Sequence, residues 1–356
     1  MCANGSPQRI VLRRRPAGVM RPSDFAVETY DPPALADRQF RVRNLYVSVD
    51  PMLRLHLDAA PLGGAIPPLA LGALIAGAAV GEIVESRHRD FAVGELVEGR
   101  FGWQHLAVSD GARVQRVGPQ VRPIHHALGV YGLPGFTAYV GLQRLGGVKP
   151  GQTVLVSGAA GAVGSIVGAM VDAAGGRAVG IAGGPDKRAF LLEAGYAAVA
   201  DRLAQDFPAQ LRQALPNGAD IYFDNVGGPL MAAVAPLMAR GGRILICGLM
   251  AQYQRRADLA DDYLSPVLDA VMGRGLTIQA FSQVGQEALR PAFEREMDGL
   301  IKSGRVRPVV HVMEGLERLP EALCGLFENS RAGKVVVRVA AEPVIGRADA
   351  GVEERA

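Results

Sequence analysis

Apolar positions change rhythm near residue 130. Before it they fall in short runs broken by glycine and charge. From residue 152 they form solid strands separated by helical stretches. Residues 40–49 (FRVRNLYVSV) alternate imperfectly, as a half-buried strand does. Residues 74–85 (LIAGAAVGEIVE) read as a curved, glycine-broken strand, and 95–98 and 101–108 add two short ones. Short strands between turn signals predict a small barrel or sandwich.

The second part predicts strands at 153–158, 177–183, 197–200, 220–225, 243–248 and 276–281. A helix is expected over 162–174, and Pro185 sits where a helix would begin. Near-continuous apolar strands between helices mark a parallel sheet covered on both faces, hence an α/β class. Residues 286–303 read as helix. The strand 334–339 (KVVVRV) is expected to return to the first part, because the parallel sheet is already complete. The expected division is 1–126, 127–283 for the parallel-sheet domain, 284–340 for the return, and a polar, mobile tail over 341–356.

Composition narrows the function. The 45 glycines in 356 residues exceed the usual share and lack a repeat, so they point to tight turns and close backbone–ligand approach. A net charge of +3 argues against nucleic acid or an anionic membrane as partner. Cys2, Cys247 and Cys324 cannot build a disulfide framework. No charge-free apolar run reaches 18 residues, and MCANGSPQRIVLRRRP lacks the apolar stretch of a secretory leader. The expected location is the cytoplasm.

The segment 157–165 (SGAAGAVGS) joins a buried strand to a helix with dinucleotide-fingerprint spacing, Ala159 standing in the first glycine position. Gly161 lets backbone approach a pyrophosphate, Gly164 lets the helix pack on the strand, and Ala162 and Val163 lie between them at the helix N-terminus. The tip of the second strand carries Gly183-Gly184-Pro185-Asp186-Lys187 and no acid to hold ribose hydroxyls. Room plus the Lys187 cation suits a 2′-phosphate, which favours NADPH. Arg202 is a candidate second phosphate partner, and Asp186 is a helix-start charge. Asn225 and the loop Cys247–Tyr253 follow later strands into the same crevice, each with a glycine beside it, Gly248 in the second case.

Together VSVDPMLR (47–54), YGLPGFTAYVGL (131–142), VLVSGAAGAVGSIVG (154–168), DIYFDNVGG (220–228), ILICGLMAQY (244–253) and AGKVVVRV (332–339) resemble the zinc-independent medium-chain dehydrogenase/reductases. The branch is that of prostaglandin reductases, or leukotriene hydroxydehydrogenases, and curcumin-reductase-like enzymes. The resemblance spans about residues 40–340. It implies a Rossmann doubly wound parallel sheet plus a GroES-like β-barrel. It also implies NADPH-dependent reduction of the C=C bond of an apolar α,β-unsaturated ketone or aldehyde, and a homodimer. Residues Gly161 to Gly164 would cradle the pyrophosphate and Lys187 the 2′-phosphate. Asn225 and residues 247–253 would line the nicotinamide, with Phe281, Ser282 and Gln283 beside nicotinamide and substrate. Tyr253 would polarise the substrate oxygen.

Departures from the family pattern are Arg202 for a tyrosine, Arg331 for an asparagine, Met52 for a tyrosine-like residue and His105-Leu106 for Glu-Tyr. The Met52 and His105-Leu106 changes are expected to reshape the substrate pocket, whose outline residues 52–70 and 254–264 would set. The cysteines and histidines supply no converging zinc set, and His125-His126 reads as a surface pair. Asp50 and Arg54 are expected to form a structural ion pair, and Phe101 and Trp103 to pack in a core. Two other readings stay open: an NADPH quinone reductase, and a non-catalytic NADPH-binding protein.

Overall fold

A computed structural model describes residues 6–59, 67–144, 147–253, 263–328 and 331–343. Cys2, residues 344–356 of the expected mobile tail, and parts of the expected substrate loops (60–66 and 254–262) lie outside the described residues.

The first part carries β1 (Gln8–Leu12), β2 (Phe25–Thr29), β3 (Phe40–Ser48), the short helix α1 (Leu53–Leu57), β4 (Ala79–Ser86), β5 (Leu96–Gly99), β6 (Leu106–Ser109) and β7 (Gln115–Arg116). Then come α2 (Leu133–Arg144), β8 (Thr153–Ser157), α3 (Gly164–Ala173), β9 (Arg177–Ala182), α4 (Pro185–Glu193), β10 (Ala198–Asp201), α5 (Phe207–Ala214) and β11 (Ala219–Asp224). The chain continues through α6 (Pro229–Val234), β12 (Met238–Ile246), α7 (Leu264–Arg274), β13 (Thr277–Ala280), α8 (Arg290–Lys302), β14 (Val310–Glu314), α9 (Leu319–Gly325) and β15 (Lys334–Arg338).

Strands β8 to β13 form one all-parallel sheet in the order β10-β9-β8-β11-β12-β13. Strand order reverses between β8 and β11, and a crevice opens there beyond the carboxyl ends. Val154, Val156 and Phe223 are buried with helix residues on one face. Leu155, Val179 and Tyr222 are buried with helix residues on the other. Burial on both faces is why these strands read as solid apolar runs.

The second sheet runs β14-β15-β3-β4-β5-β7, with β6 also on β3. β15 lies antiparallel to β3, so the last described strand does return to the first layer. Trp103 is fully buried and Phe101 nearly so, in this layer's core. Helix α8 falls in the stretch assigned to the return. Even so, its Phe293, Met297 and Leu300 are buried with Phe136 and Tyr139 of α2, in the parallel-sheet layer. These are the apolar positions of its inner stripe, and α2 offers the matching face.

Candidate active site

A cleft of about 1480 Å³ runs between the two layers, over the strand-order reversal. Every residue assigned to the cofactor lines it: Gly161, Ala162, Val163, Gly164, Lys187, Arg202, Asn225, Cys247, Gly248, Tyr253, Phe281, Ser282, Gln283 and Arg331. Met52 lines it too, while His105 and Leu106 are not among the lining residues. Instead Gln8 N–H donates to His105 Nδ1 at 3.1 Å, and the Leu106 carbonyl accepts from Tyr30, within the first layer. Neither side chain therefore reaches the cleft as the described residues form it.

The glycine loop is a close fit. A Cβ on Gly164 would lie 2.6 Å from the Gly158 carbonyl oxygen and 2.7 Å from Ala159 Cα, so no side chain is tolerated where α3 meets β8. No side chain caps the α3 N-terminus; Ser165, Ile166 and Val167 N–H donate to the carbonyls of Gly161 and Val163, so the N–H groups that an anion could meet are those of Ala162, Val163 and Gly164.

At the end of β9, Lys187 and Arg202 approach each other. Burial, and then the Arg202 charge, hold the Lys187 ammonium below its ordinary value. Two cations kept together in a cleft favour a multiply charged anion. The acid in this region, Asp201, is committed elsewhere. It accepts from the N–H groups of Gly184 and Leu203 at 2.9 Å each, which lowers its pKa. These groups fit a 2′-phosphorylated dinucleotide.

Beneath Asn225 and the Cys247–Tyr253 loop lies a buried hub. Asp224 Oδ1 accepts from Ser157 Oγ (2.6 Å), Tyr222 Oη (2.9 Å) and the N–H groups of Val226 (2.9 Å) and Gly227 (3.0 Å). The Asp224 carbonyl accepts from the N–H groups of Cys247 and Gly248. Ser157 Oγ accepts from Asn225 N–H at 2.8 Å, while Asn225 Nδ2 donates to the Ser157 carbonyl at 2.7 Å. The Asp224 carboxylate thus ties the end of β8 to that of β11, and its backbone carbonyl ties β11 to the end of β12. Burial, then the Asp224 charge, push the Cys247 thiol up to about 12, so it stays a neutral thiol. Tyr253 Oη accepts from Leu249 N–H at 3.3 Å, which leaves its proton to donate. Burial raises the Tyr253 pKa and keeps that proton in place. Phe281 meets Phe223 edge to face at 5.7 Å.

The cleft is also lined by residues the sequence did not single out: Val19, Leu55, Met313 and Phe327 from the first layer, and Leu133, Pro134 and Thr137 of α2. The YGLPGFTAYVGL marker was the available signal for α2; the others are ordinary apolar positions. The expected Asp50–Arg54 pair is not formed. Asp50 pairs with Lys334 at 3.3 Å, and Arg54 pairs with Asp58. Arg54 finds its partner one helical turn on, whereas Asp50 meets a cation from β15. His125 and His126 are half-buried and stack edge to face at 5.1 Å, so they are not a surface pair.

A doubly wound sheet with a diphosphate crevice, closed over by a second β layer, defines a nicotinamide-dependent oxidoreductase. A family model described as the N-terminal domain of oxidoreductase matches residues 8–117, and one described as zinc-binding dehydrogenase matches residues 162–296. The chain is 36% identical over 338 residues to NADPH-dependent curcumin reductase of Escherichia coli (strain K12), covering 94% of this chain and 97% of the relative. It is 34% identical over 337 residues to prostaglandin reductase 1 of Bos taurus, covering 92% and 97%. The crystal structure of CurA in complex with NADPH from Vibrio vulnificus superposes with a TM-score of 0.89 at 36% identity, covering 94% of this chain and 100% of that one. The chain belongs to the medium-chain dehydrogenase/reductases, in the branch of curcumin and prostaglandin reductases. It is an NADPH-dependent oxidoreductase. The second family description names zinc, but among the described residues no group of three His, Cys, Asp or Glu is placed to hold a metal ion. The described residues do not fit such a centre.

Proposed function

We propose that this enzyme reduces the C=C bond of an apolar α,β-unsaturated ketone or aldehyde, without zinc. The carrying observation is Tyr253, a protonated donor at the cofactor crevice, facing a cleft whose opposite wall is Val19, Met52, Leu55 and Met313. Bound NADPH supplies the hydride that reaches the β-carbon. The chain's own residues do the rest. Gly161 to Gly164 hold the pyrophosphate, and Lys187 and Arg202 hold the 2′-phosphate. Asn225, Gly248, Phe281, Ser282, Gln283 and Arg331 border the remaining cofactor surface. Tyr253 Oη donates to the carbonyl oxygen, where negative charge builds up as the enolate forms. The α-carbon takes its proton from solvent.

Tyr253→Phe is expected to lower enone turnover roughly tenfold while NADPH affinity stays within twofold. Stopped-flow oxidation with an enone, and a fluorescence titration with NADPH, measure the two. A wild-type panel comparing 4-phenyl-3-buten-2-one with a quinone tests the reaction class. Preference for the quinone would favour quinone reduction, and NADPH binding without turnover would favour the non-catalytic reading.

We place the protein in the cytoplasm as a homodimer. No helix among the described residues is long and apolar enough to cross a membrane. Strand β13 ends the parallel sheet, with all four residues exposed. Beside it, α7 exposes Leu264, Leu268 and Met272 at four-residue spacing, Met272 at 86%. Pairing β13 across a two-fold axis would continue the sheet and cover this stripe. Ile278→Asp is expected to yield a monomer by sedimentation velocity. For the domains, we keep the boundary at 126/127 and begin the return after Val306, because α8 packs with the parallel sheet.

A further inference from the structure

We propose that Lys334, paired with Asp50, is a positioning residue that fixes the Val49–Met52 turn against the cofactor loop and so sets where the enone sits. The role as an enone site rests on the function proposed above. Lys334 is 4% exposed. Its Nζ donates to the carbonyls of Val49 (2.7 Å) and Val335 (2.8 Å) and lies 3.3 Å from Asp50 Oδ1. These acceptors account for all three ammonium protons. With no proton left for a substrate, Lys334 holds structure and performs no chemistry. Asp50 is fixed at its other oxygen, because Ser48 Oγ donates to Oδ2 at 2.6 Å. A buried ammonium is costly unless fully paired, so the pair locks one arrangement of the turn.

That turn is a wall of the cleft: Val49, Asp50, Pro51 and Met52 all line it. The residue before Lys334 grips the opposite wall. Gly333 N–H donates to the Ala160 carbonyl at 2.7 Å, and Gly333 bridges to Gly161 in the pyrophosphate loop. Gly333 has φ +82°, and a Cβ there would lie 2.3 Å from the Val309 carbonyl oxygen. Two consecutive residues therefore hold the cofactor loop on one side and the substrate turn on the other. The spacing between hydride and alkene is set through them.

The test compares the full-length wild type with Asp50→Ala, Asp50→Asn, Lys334→Met and the Asp50→Ala/Lys334→Met double variant. Asp50→Ala is expected to speed amide exchange over residues 49–55 about tenfold and leave 158–164 unchanged. It is expected to lower kcat/KM for 4-phenyl-3-buten-2-one about tenfold, with NADPH Kd by fluorescence within twofold. Asp50→Asn keeps an acceptor for Lys334 and should fall between wild type and Asp50→Ala. The double variant should be no worse than Lys334→Met alone, because the two act as one unit. Unchanged exchange over 49–55, equal weakening of NADPH binding and enone turnover, or single effects that multiply in the double variant would each overturn the proposal. A wild type that binds NADPH but reduces no enone would instead remove the functional reading, and the exchange measurement would still decide the positioning role.

Discussion

Replacing Lys187 and Arg202 together by alanine is expected to raise the NADPH Kd about a thousandfold and to change the NADH Kd less than threefold. A hydrogen bond to a charged group contributes about 1.5–3 kcal/mol, so losing two removes about 4 kcal/mol, or three decades of affinity. The two side chains line the crevice at the end of the second strand of the parallel sheet. Arg202 already depresses the Lys187 ammonium, so the cations repel in the absence of an anion. A phosphate relieves that repulsion, and the relief belongs to NADPH alone. Each single variant should lose one to two decades. Fluorescence titration with both nucleotides at fixed ionic strength is the measurement. Equal weakening for NADPH and NADH would mean the two cations bind some part common to both.

Replacing Asp224 by alanine is expected to destabilise the fold by about 4 kcal/mol in a urea melt. Its Oδ1 serves Ser157, Tyr222, Val226 and Gly227 at once. Each buried donor left without an acceptor costs about 1–3 kcal/mol, less what an entering water returns. Asp224→Asn should cost about half as much. It keeps the Oδ1 acceptor but places an amide where Oδ2 has no hydrogen-bond partner among the described residues. Tyr222 is held well above its ordinary pKa, by burial and then by this carboxylate, so its proton stays on the hub. If Asp224→Ala melts like the wild type, the carboxylate does not hold the strand ends together. Loss of stability should also loosen Asn225, so NADPH affinity should fall in the same variant.

The centre of the parallel sheet was legible because β8, β9 and β11 are buried on both faces and carry no alternation to misread. Even so, β12 begins at Met238, five residues before the expected start, because Arg240-Gly241-Gly242 reads as a turn. β1 and β2 were not visible in the sequence. Each has five residues, they form a separate two-stranded sheet joined to the rest by isolated bridges, and three arginines follow β1 closely. β14 alternates half-buried and exposed positions without a buried residue, which gives no strong period. The glycine loop, Lys187 and Asn225 could be located because their spacing from strand ends follows from fold geometry. The Lys334–Asp50 pair could not. Lys334 and its acceptor Val49 are 285 residues apart, and the four-residue spacing of Asp50 and Arg54 suggested a local partner instead. Arg202 was identifiable as a cation beyond the third strand, while its closeness to Lys187 required the fold.

The place of β15 beside β3 has a consequence for biosynthesis. Most strands of the β-rich layer precede the parallel sheet in the chain, but one of its inner strands, β15, follows it. Until β15 has been made, the Tyr46–Ser48 end of β3 keeps an open hydrogen-bonding edge, the kind of edge that pairs with neighbouring nascent chains. The parallel sheet has no such dependence, since all six of its strands lie in one uninterrupted stretch. The parallel sheet can therefore mature before the β-rich layer closes, and a message truncated shortly before residue 334 would yield a product with its nucleotide crevice largely built and its β layer unsealed.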